Sequence, residues 1–344
     1  RSKSDLYKNA GVDIDLAGSL LKRMKPKFKK AMRSEMLSPI GGFGGLFQIN
    51  MRKYKNPVLV SSIDGVGTKI LVAMMMGKFT NIGRDIVNHC INDIAVQGAE
   101  PIYFLDYIGI GRLRSPLYEE MLSGIVEACA EAKCALLGGE TAEMPGIYED
   151  EFDLVGVITG VVEKNKIITG QRIKAGHVAI GLASNGLHTN GYSLARKILF
   201  EQCGYDVHDE FKELGESIGD ALLKPHLSYL PAIKRALGKG IRIDGIAHIT
   251  GGGLYDNVPR ILPETIDVHF KTAPISVPPI FNMIVEGGNV SSEEAYRVFN
   301  MGVGMVWFVP TADADAAVEI CLGAGFKASK IGEAAKGKRR VFID

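Results

Sequence analysis

Apolar residues in this chain fall into short runs that repeatedly end at an acid beside a glycine. Pro57-Val58-Leu59-Val60-Ser61-Ser62-Ile63 predicts a strand that delivers Asp64 into Gly65-Val66-Gly67-Thr68-Lys69. Residues 102–105 predict a second strand, ending at Asp106. Ala135-Leu136-Leu137 predicts a short buried third, ending in the turn Gly138-Gly139-Glu140-Thr141, and residues 152–162 are β-rich. Helical spacing appears between these runs. Ile86, Val87, Cys90, Ile91, Ile94 and Ala95 predict an amphipathic helix over 82–97, with Asp85, His89 and Asp93 stacked on its polar stripe. Such a stripe ordinarily faces solvent; it is also a plausible edge for a cation site. Residues 116–133 predict another helix. Residues 16–33 predict a basic one with a solvated face, kinked or broken by Pro26.

The second half repeats the theme. Residues 178–183 predict a strand, 184–191 a polar loop, and 192–203 a helix carrying Arg196 and Lys197. Residues 245–249 predict a strand followed by Thr250-Gly251-Gly252-Gly253 and a short helix through Asn257. Strands at 303–308 and 341–343 flank a helix at 313–322. A polar stretch at 163–174 marks a boundary, giving an N-terminal domain over 1–166 and a C-terminal domain over 167–344. Each is of α/β or α+β class.

At 344 residues two domains are the default, and 46% hydrophobic with 23% charged residues describes a soluble globular protein. A net charge of +1 supplies no field for gripping nucleic acid or an anionic membrane. Five scattered cysteines without a Cys-x-x-Cys argue for reduced thiols and a cytoplasmic location. No apolar stretch has bilayer-spanning length, and the N-terminus lacks a signal-peptide pattern, although it begins at Arg1 and residues may precede it.

The turn at 64–69 holds what polyphosphate chemistry needs: an acid for a hard cation, backbone N–H groups for phosphate oxygens, and an ammonium. It is not a Walker A loop, and it reads equally as a glycine-rich strand-to-helix connection. Gly41-Gly42-Phe43-Gly44-Gly45-Leu46-Phe47 reads as a loop able to lie against a ligand, since flexible linkers avoid embedded aromatic residues. Asp64, Asp106 and Glu140, each after a strand, can converge at one sheet edge, where metal or proton must hold them. The 184–191 loop running into a helix suits an anion. His188, among Ser, Asn and Thr, reads as a ligand or catalytic residue as readily as a structural one. His177, His208, His226 and His269 sit in no special setting and read as structural or exposed.

These segments, with Asn92-Asp93, Gln97-Gly98-Ala99-Glu100-Pro101, Phe104-Leu105-Asp106-Tyr107, Gly138 through Gly146, Leu187 through Lys197 and His248 through Gly253, resemble the aminoimidazole ribonucleotide synthetase family, the phosphoribosylformylglycinamidine cyclo-ligases. The resemblance spans nearly the whole chain. Departures occur at Ser61-Ser62-Ile63, Arg84, Asn88-His89 and Ser38-Pro39-Ile40. The resemblance implies a two-domain protomer: an N-terminal α+β sheet domain that pairs in a homodimer, and a C-terminal α/β domain of an ATP-using synthetase superfamily. It implies ATP-dependent closure of formylglycinamidine ribonucleotide to aminoimidazole ribonucleotide in purine biosynthesis. It also implies Mg²⁺ held by Asp64, Asp93 and Glu140, with Asp106 as a further ligand. ATP would meet Gly42, Gly44, Gly45, Gly65, Gly67, Thr68, Lys69, Gly138, Gly139 and Thr141. The ribonucleotide would meet Ser184, Asn185, Gly186, His188, Asn190, Thr250, Gly251, Gly252 and Gly253, and catalysis would rest on His188, Lys69 and Asp93. Selenophosphate synthetase, thiamine-phosphate kinase and the hydrogenase-maturation dehydratase are the nearest rivals; the first usually needs a Cys or selenocysteine near the glycine-rich loop, and none precedes Cys90. A non-catalytic nucleotide-binding regulator is the rival of another class, and would not need acids at several strand ends.

Overall fold

The computed structural model describes residue 6 and residues 8–344. The chain forms two compact units, one running to Ile94 and resuming over Ala99–Lys164, the other holding Ala95–Gly98 and Asn165–Asp344.

The N-terminal unit contains α1 (Ile14–Phe28), β1 (Pro57–Gly65), α2 (Lys69–Met76), α3 (Thr80–Ala95), β2 (Glu100–Ile110), α4 (Ser115–Ala132), β3 (Ala135–Glu143) and β4 (Phe152–Glu163). Its four strands lie in the order β1-β4-β2-β3, with only β2 and β3 parallel. α3 fixes the helix-covered side of this unit: Ile82, Ile86, Val87, Cys90, Ile91 and Ile94 are fully buried. On the other side the pleat exposes Leu59 and Ile63. Pro26 does not break α1. It lies in the last turn, where one backbone hydrogen bond is lost and φ is already helical, and a 3-10 turn over Lys29–Ala31 follows.

Two strands run further than their apolar stretches. β2 continues past Asp106 because its backbone pairs on both sides, with β4 and with β3. β3 carries Gly138, Gly139, Glu140 and Thr141 inside the strand, where a turn was expected. Asp106 and Glu140 are therefore mid-strand residues, and only Asp64 stands near a strand end.

The C-terminal unit contains β5 (Val178–Ala183), α5 (Tyr192–Arg196, continuing as a π-helical stretch Lys197–Gln202), the small hairpin β6 (Glu210–Phe211) and β7 (Glu216–Ser217), then α6 (Ile218–Leu222) and α7 (Leu230–Gly238). β8 (Gly245–His248), α8 (Gly253–Asn257), β9 (Ile266–Phe270), α9 (Pro279–Gly288), α10 (Ser292–Val298), β10 (Val303–Val309), α11 (Ala314–Gly323), β11 (Ala328–Lys336) and β12 (Val341–Ile343) complete it. The six-stranded sheet has the order β12-β9-β11-β5-β10-β8, and all its pairings except β12 with β9 are antiparallel. β10 is buried along its whole length, which is why it reads as an unbroken apolar run.

Candidate functional site

In the N-terminal unit the last residues of β1 face α3. Ser62 Oγ donates to Asp93 Oδ2 at 3.0 Å. Asp64, two residues on and hence on the same side of the strand, accepts from His89 Nε2 at 3.1 Å; the second carboxylate, Asp93, lies 3.8 Å from the same nitrogen. Burial alone would lower the His89 pKa. The hydrogen bond to Asp64 and the charges of Asp93, Asp64 and Asp85 outweigh it, and the pKa is raised. The third member of the stripe, Asp85, is fully buried and pairs with Lys69 Nζ at 2.7 Å. The stripe is thus largely enclosed. Lys69 opens α2, and as folded its ammonium is committed to Asp85, not to the loop surface the motif suggested. Burial lowers its pKa, and Asp85 offsets only part of that.

The sheet register decides which other acids join Asp64. Asp64 stands opposite Gly156, Gly156 opposite Asp106, and Asp106 opposite Gly139, so this row shares the helix-covered face. Burial raises Asp106 to about 7, against a smaller opposing effect from its backbone hydrogen bond. Gly139 makes room for it: a Cβ there would lie 2.4 Å from Asp106 Oδ1. Glu140 is one residue further along, opposite Tyr107, and exposed on the other face. Within one chain Glu140 does not join Asp64 and Asp93, which corrects the expected three-acid set. Thr141 returns to the helix side, 3.2 Å from the Tyr118 hydroxyl.

The glycine-rich loop is the tip of a hairpin. Leu37 N donates to Leu46 O, Gln48 N to Glu35 O, and Leu46 N to Ser38 Oγ. Phe47 anchors its base against Tyr103, ring centroids 5.6 Å apart, beneath the Arg33 guanidinium. Phe43, between Gly42 and Gly44, is fully exposed.

In the C-terminal unit the 184–191 loop leaves β5 and is fastened by Asn300. Ser184 Oγ donates to Asn300 Oδ1 at 2.7 Å, and Asn300 Nδ2 donates to Gly186 O at 2.9 Å. Asn185 Nδ2 donates to Pro225 O. His188 is buried and holds φ at +61°, a left-handed conformation uncommon outside glycine and found where the surroundings over-determine it. Tyr192 donates its hydroxyl to the His188 carbonyl. Gly304 of β10 leaves the space: a Cβ there would meet the Tyr229 hydroxyl at 1.9 Å and His188 Cε1 at 2.8 Å. Asn257 holds the turn Thr250-Gly251-Gly252-Gly253, its Nδ2 donating to the carbonyls of Thr250, Gly251 and Gly253. His226 is not a bystander. It is fully buried and stacked on His188 with centroids 4.2 Å apart. Asn300, Asn257 and Tyr229 were given no role from sequence, His226 read as structural or exposed, and His248 stood only as the first residue of a family-like segment; the Asn300-Met301-Gly302 turn pattern was a signal for Asn300.

One unit gathers carboxylates and an imidazole at a strand end, and the other gathers amides, hydroxyls and imidazoles around two loops. This is the make-up of an enzyme for a small polar substrate. Residues 49–162 match the AIR synthase related protein N-terminal domain, and residues 174–344 match the corresponding C-terminal domain. Phosphoribosylformylglycinamidine cyclo-ligase of Geobacter sulfurreducens is 50% identical, covering 96% of this chain and 95% of its own. The protein of that name from Geobacter metallireducens is 49% identical, over 97% and 96%. The chain belongs to the AIR synthase related family and, within it, to the phosphoribosylformylglycinamidine cyclo-ligases, which are ligases. The fold is shared more widely. Thiamine-monophosphate kinase from Stenotrophomonas maltophilia superposes with TM-score 0.71 at 17% identity, over 94% of this chain and 95% of that one. Hydrogenase maturation protein HypE in complex with ATP superposes with TM-score 0.68 at 15% identity, over 94% and 90%.

Proposed function

We propose that this chain uses ATP to close the imidazole ring of formylglycinamidine ribonucleotide, releasing ADP, phosphate and aminoimidazole ribonucleotide in purine biosynthesis. The observation that carries this reading is identity of 49–50% over almost the full length of two proteins bearing that activity's name. The chemistry runs in two steps. The formyl oxygen takes the γ-phosphoryl group as the bond to ADP breaks, and the formamide nitrogen gives up its proton to solvent. The ribose-bearing amidine nitrogen then attacks the formyl carbon, loses its proton, and the carbon–oxygen bond breaks to expel phosphate. Phosphorylation turns a poor leaving group into a good one, and the protein's work is positioning and charge neutralisation.

The carboxylates of Asp64 and Asp93 present hard oxygen donors on either side of His89. This donor set fits Mg²⁺, which takes one or two carboxylates and leaves its other positions to water and phosphate. Bound there, the cation would supply charge neutralisation for the transferring phosphoryl group. Asp106, on the same sheet face, is a further acid of this site. Gly65, Gly67 and Thr68 offer backbone at the phosphates. The Gly42, Gly44 and Gly45 tip covers the nucleotide, and Gly138, Gly139 and Thr141 support it from β3. Lys69 acts through Asp85, tying α2 to α3 and so placing Asp93. In the C-terminal unit Ser184, Asn185, Gly186, Asn190 and the turn Thr250, Gly251, Gly252, Gly253 hold the ribonucleotide. His188 takes the amidine proton at ring closure.

The exposed apolar residues on the open sheet face, Leu59 and Ile63, support a homodimer that pairs these faces. No helix among the described residues is long and apolar enough to cross a membrane; the cytoplasm is the proposed location. The test is phosphate release from ATP with and without formylglycinamidine ribonucleotide. Release that depends on the ribonucleotide supports the reading. Release that ignores it, or ADP formation that follows thiamine monophosphate instead, contradicts it.

A further inference from the structure

A chain of hydrogen bonds crosses the C-terminal unit through a residue that the ring-closing scheme does not use. Asn190 Nδ2 donates to Thr189 Oγ1 at 3.3 Å. Thr189 Oγ1 lies 3.2 Å from His226 Nδ1, and His226 Nε2 lies 3.0 Å from His248 Nε2. Two imidazole nitrogens at that separation share one hydrogen, so one ring donates and the other accepts. The Asn190 amide fills one of the two lone pairs on the Thr189 oxygen; with the Thr189 proton turned to His226 Nδ1, that nitrogen accepts. His226 carries its own hydrogen on Nε2 and gives it to His248 Nε2. The remaining ring hydrogen of His248 is thereby placed on Nδ1. Thr189, His226 and His248 are all buried, where such bonds are strong and costly to leave unmade.

The same residue holds a second partner. The His226 ring stacks on His188 with 25° between the planes. His188 and Thr189 belong to the 184–191 loop, whereas His248 ends β8 just before the Thr250–Gly253 turn. His226, between α6 and α7, therefore joins the two loops proposed to hold the ribonucleotide.

We infer that His226 is a positioning residue, fixing His248 as its Nδ1–H tautomer by hydrogen bonding and setting the His188 ring by stacking. Its consequence for catalysis rests on the ring-closing reading; its tautomer consequence does not. Long-range ¹H–¹⁵N spectra of the full-length protein labelled at histidine should show His226 protonated at Nε2 and His248 at Nδ1. The opposite pair of tautomers overturns the inference. His226→Phe keeps a ring for stacking and removes both nitrogens. It should release His248 from its single tautomer and lower turnover of the ribonucleotide roughly tenfold or more, with the KM for ATP unchanged. His226→Gln, which restores a donor towards His248, should recover part of that loss. Wild-type turnover in His226→Phe overturns the inference. Should that variant not fold, the wild-type tautomers decide it. Should the wild-type protein show no ribonucleotide-dependent phosphate release, the reaction is refuted while the tautomer assignment still judges His226.

Discussion

The two units bury polarity in opposite ways. The N-terminal site is made of charge: Lys69 against Asp85, His89 between Asp64 and Asp93, and Asp106 without an ion-pair partner among the described residues. The loops of the C-terminal site are held by uncharged amides, hydroxyls and imidazoles, with Asn300 and Asn257 each satisfying several backbone groups. Where the C-terminal unit does bury carboxylates, cations meet them: Arg242, Arg172 and His177 at Asp244, and Arg340 at Asp267. On the proposed function, the contrast separates tasks. Phosphoryl transfer needs charge held in place against a multiply charged nucleotide, whereas recognition of a ribonucleotide needs directional donors and acceptors.

Removing one partner of the most enclosed charge pair breaks the comparison most severely. Lys69→Met removes the ammonium paired with the buried Asp85 carboxylate, at a cost of about 3–5 kcal/mol, and the melting temperature should fall by about 10 °C. Adding Asp85→Leu should return most of that loss. If the single variant melts like wild type, Lys69 is not the structural tie described here and its ammonium is free to serve the nucleotide. Asp93→Asn keeps shape and removes charge. Turnover should drop by at least ~100-fold with little change in melting temperature, and near-normal turnover at saturating Mg²⁺ removes Asp93 from the site.

His188 sharpens the other half of the comparison. Loop side chains ordinarily carry little packing, but that of His188 is buried and stacked, and its backbone is left-handed at φ +61°. His188→Ala therefore mixes lost chemistry with lost packing. His188→Asn suits the backbone better, since Asn tolerates this conformation, and should lower turnover by about 100-fold with a smaller loss of stability. A variant that turns over normally but needs far more ribonucleotide makes His188 a binding residue only.

The smallest effect is one of pH. Burial raises Asp106 to about 7, above its unfolded value of about 3.9. The stability it contributes is fully present below about pH 3.9 and is lost as pH rises through about 7. Asp106→Asn, which imitates the protonated acid, should raise the melting temperature by a few degrees at pH 8 and by a smaller margin at pH 5. Asp244 has the opposite sign. Burial pushes it up, but Arg242, His177 and Arg172 outweigh that and hold it below the usual carboxylate range. Its contribution is present above about pH 3.9 and is lost as pH falls through its lowered folded value. Equal melting temperatures for Asp106→Asn and wild type at pH 8 mean that Asp106 is not held as a buried, unpaired acid.

Periodicity made β1, β5, β10 and α3 legible, because each has one buried stripe or two buried faces. It failed for β11, where Ala328-Ser329-Lys330-Ile331-Gly332 is polar and bulged, and for the second halves of β2 and β3. Those stretches are strand through pairing with neighbours, which is a long-range property absent from local pattern. The candidate site divides the same way. Asp64, Asp93 and His188 stand out because glycines and polar runs frame them. Whether Glu140 joins Asp64 depends on a one-residue alternation of faces, and an apolar run of three residues does not fix where a strand's register ends. His226 lies in an undistinguished segment, Pro225-His226-Leu227, and acquires meaning only when His248 and Thr189 fold against it.

The central claim is that the formyl oxygen accepts the γ-phosphoryl group before the ring closes. Formylglycinamidine ribonucleotide labelled with oxygen-18 at the formyl position tests it directly. Mass analysis of the products should find one labelled oxygen in the inorganic phosphate, equal in amount to the aminoimidazole ribonucleotide formed. Unlabelled phosphate, with the heavy oxygen in water, would contradict the account, because closure would then have proceeded without phosphorylating that oxygen.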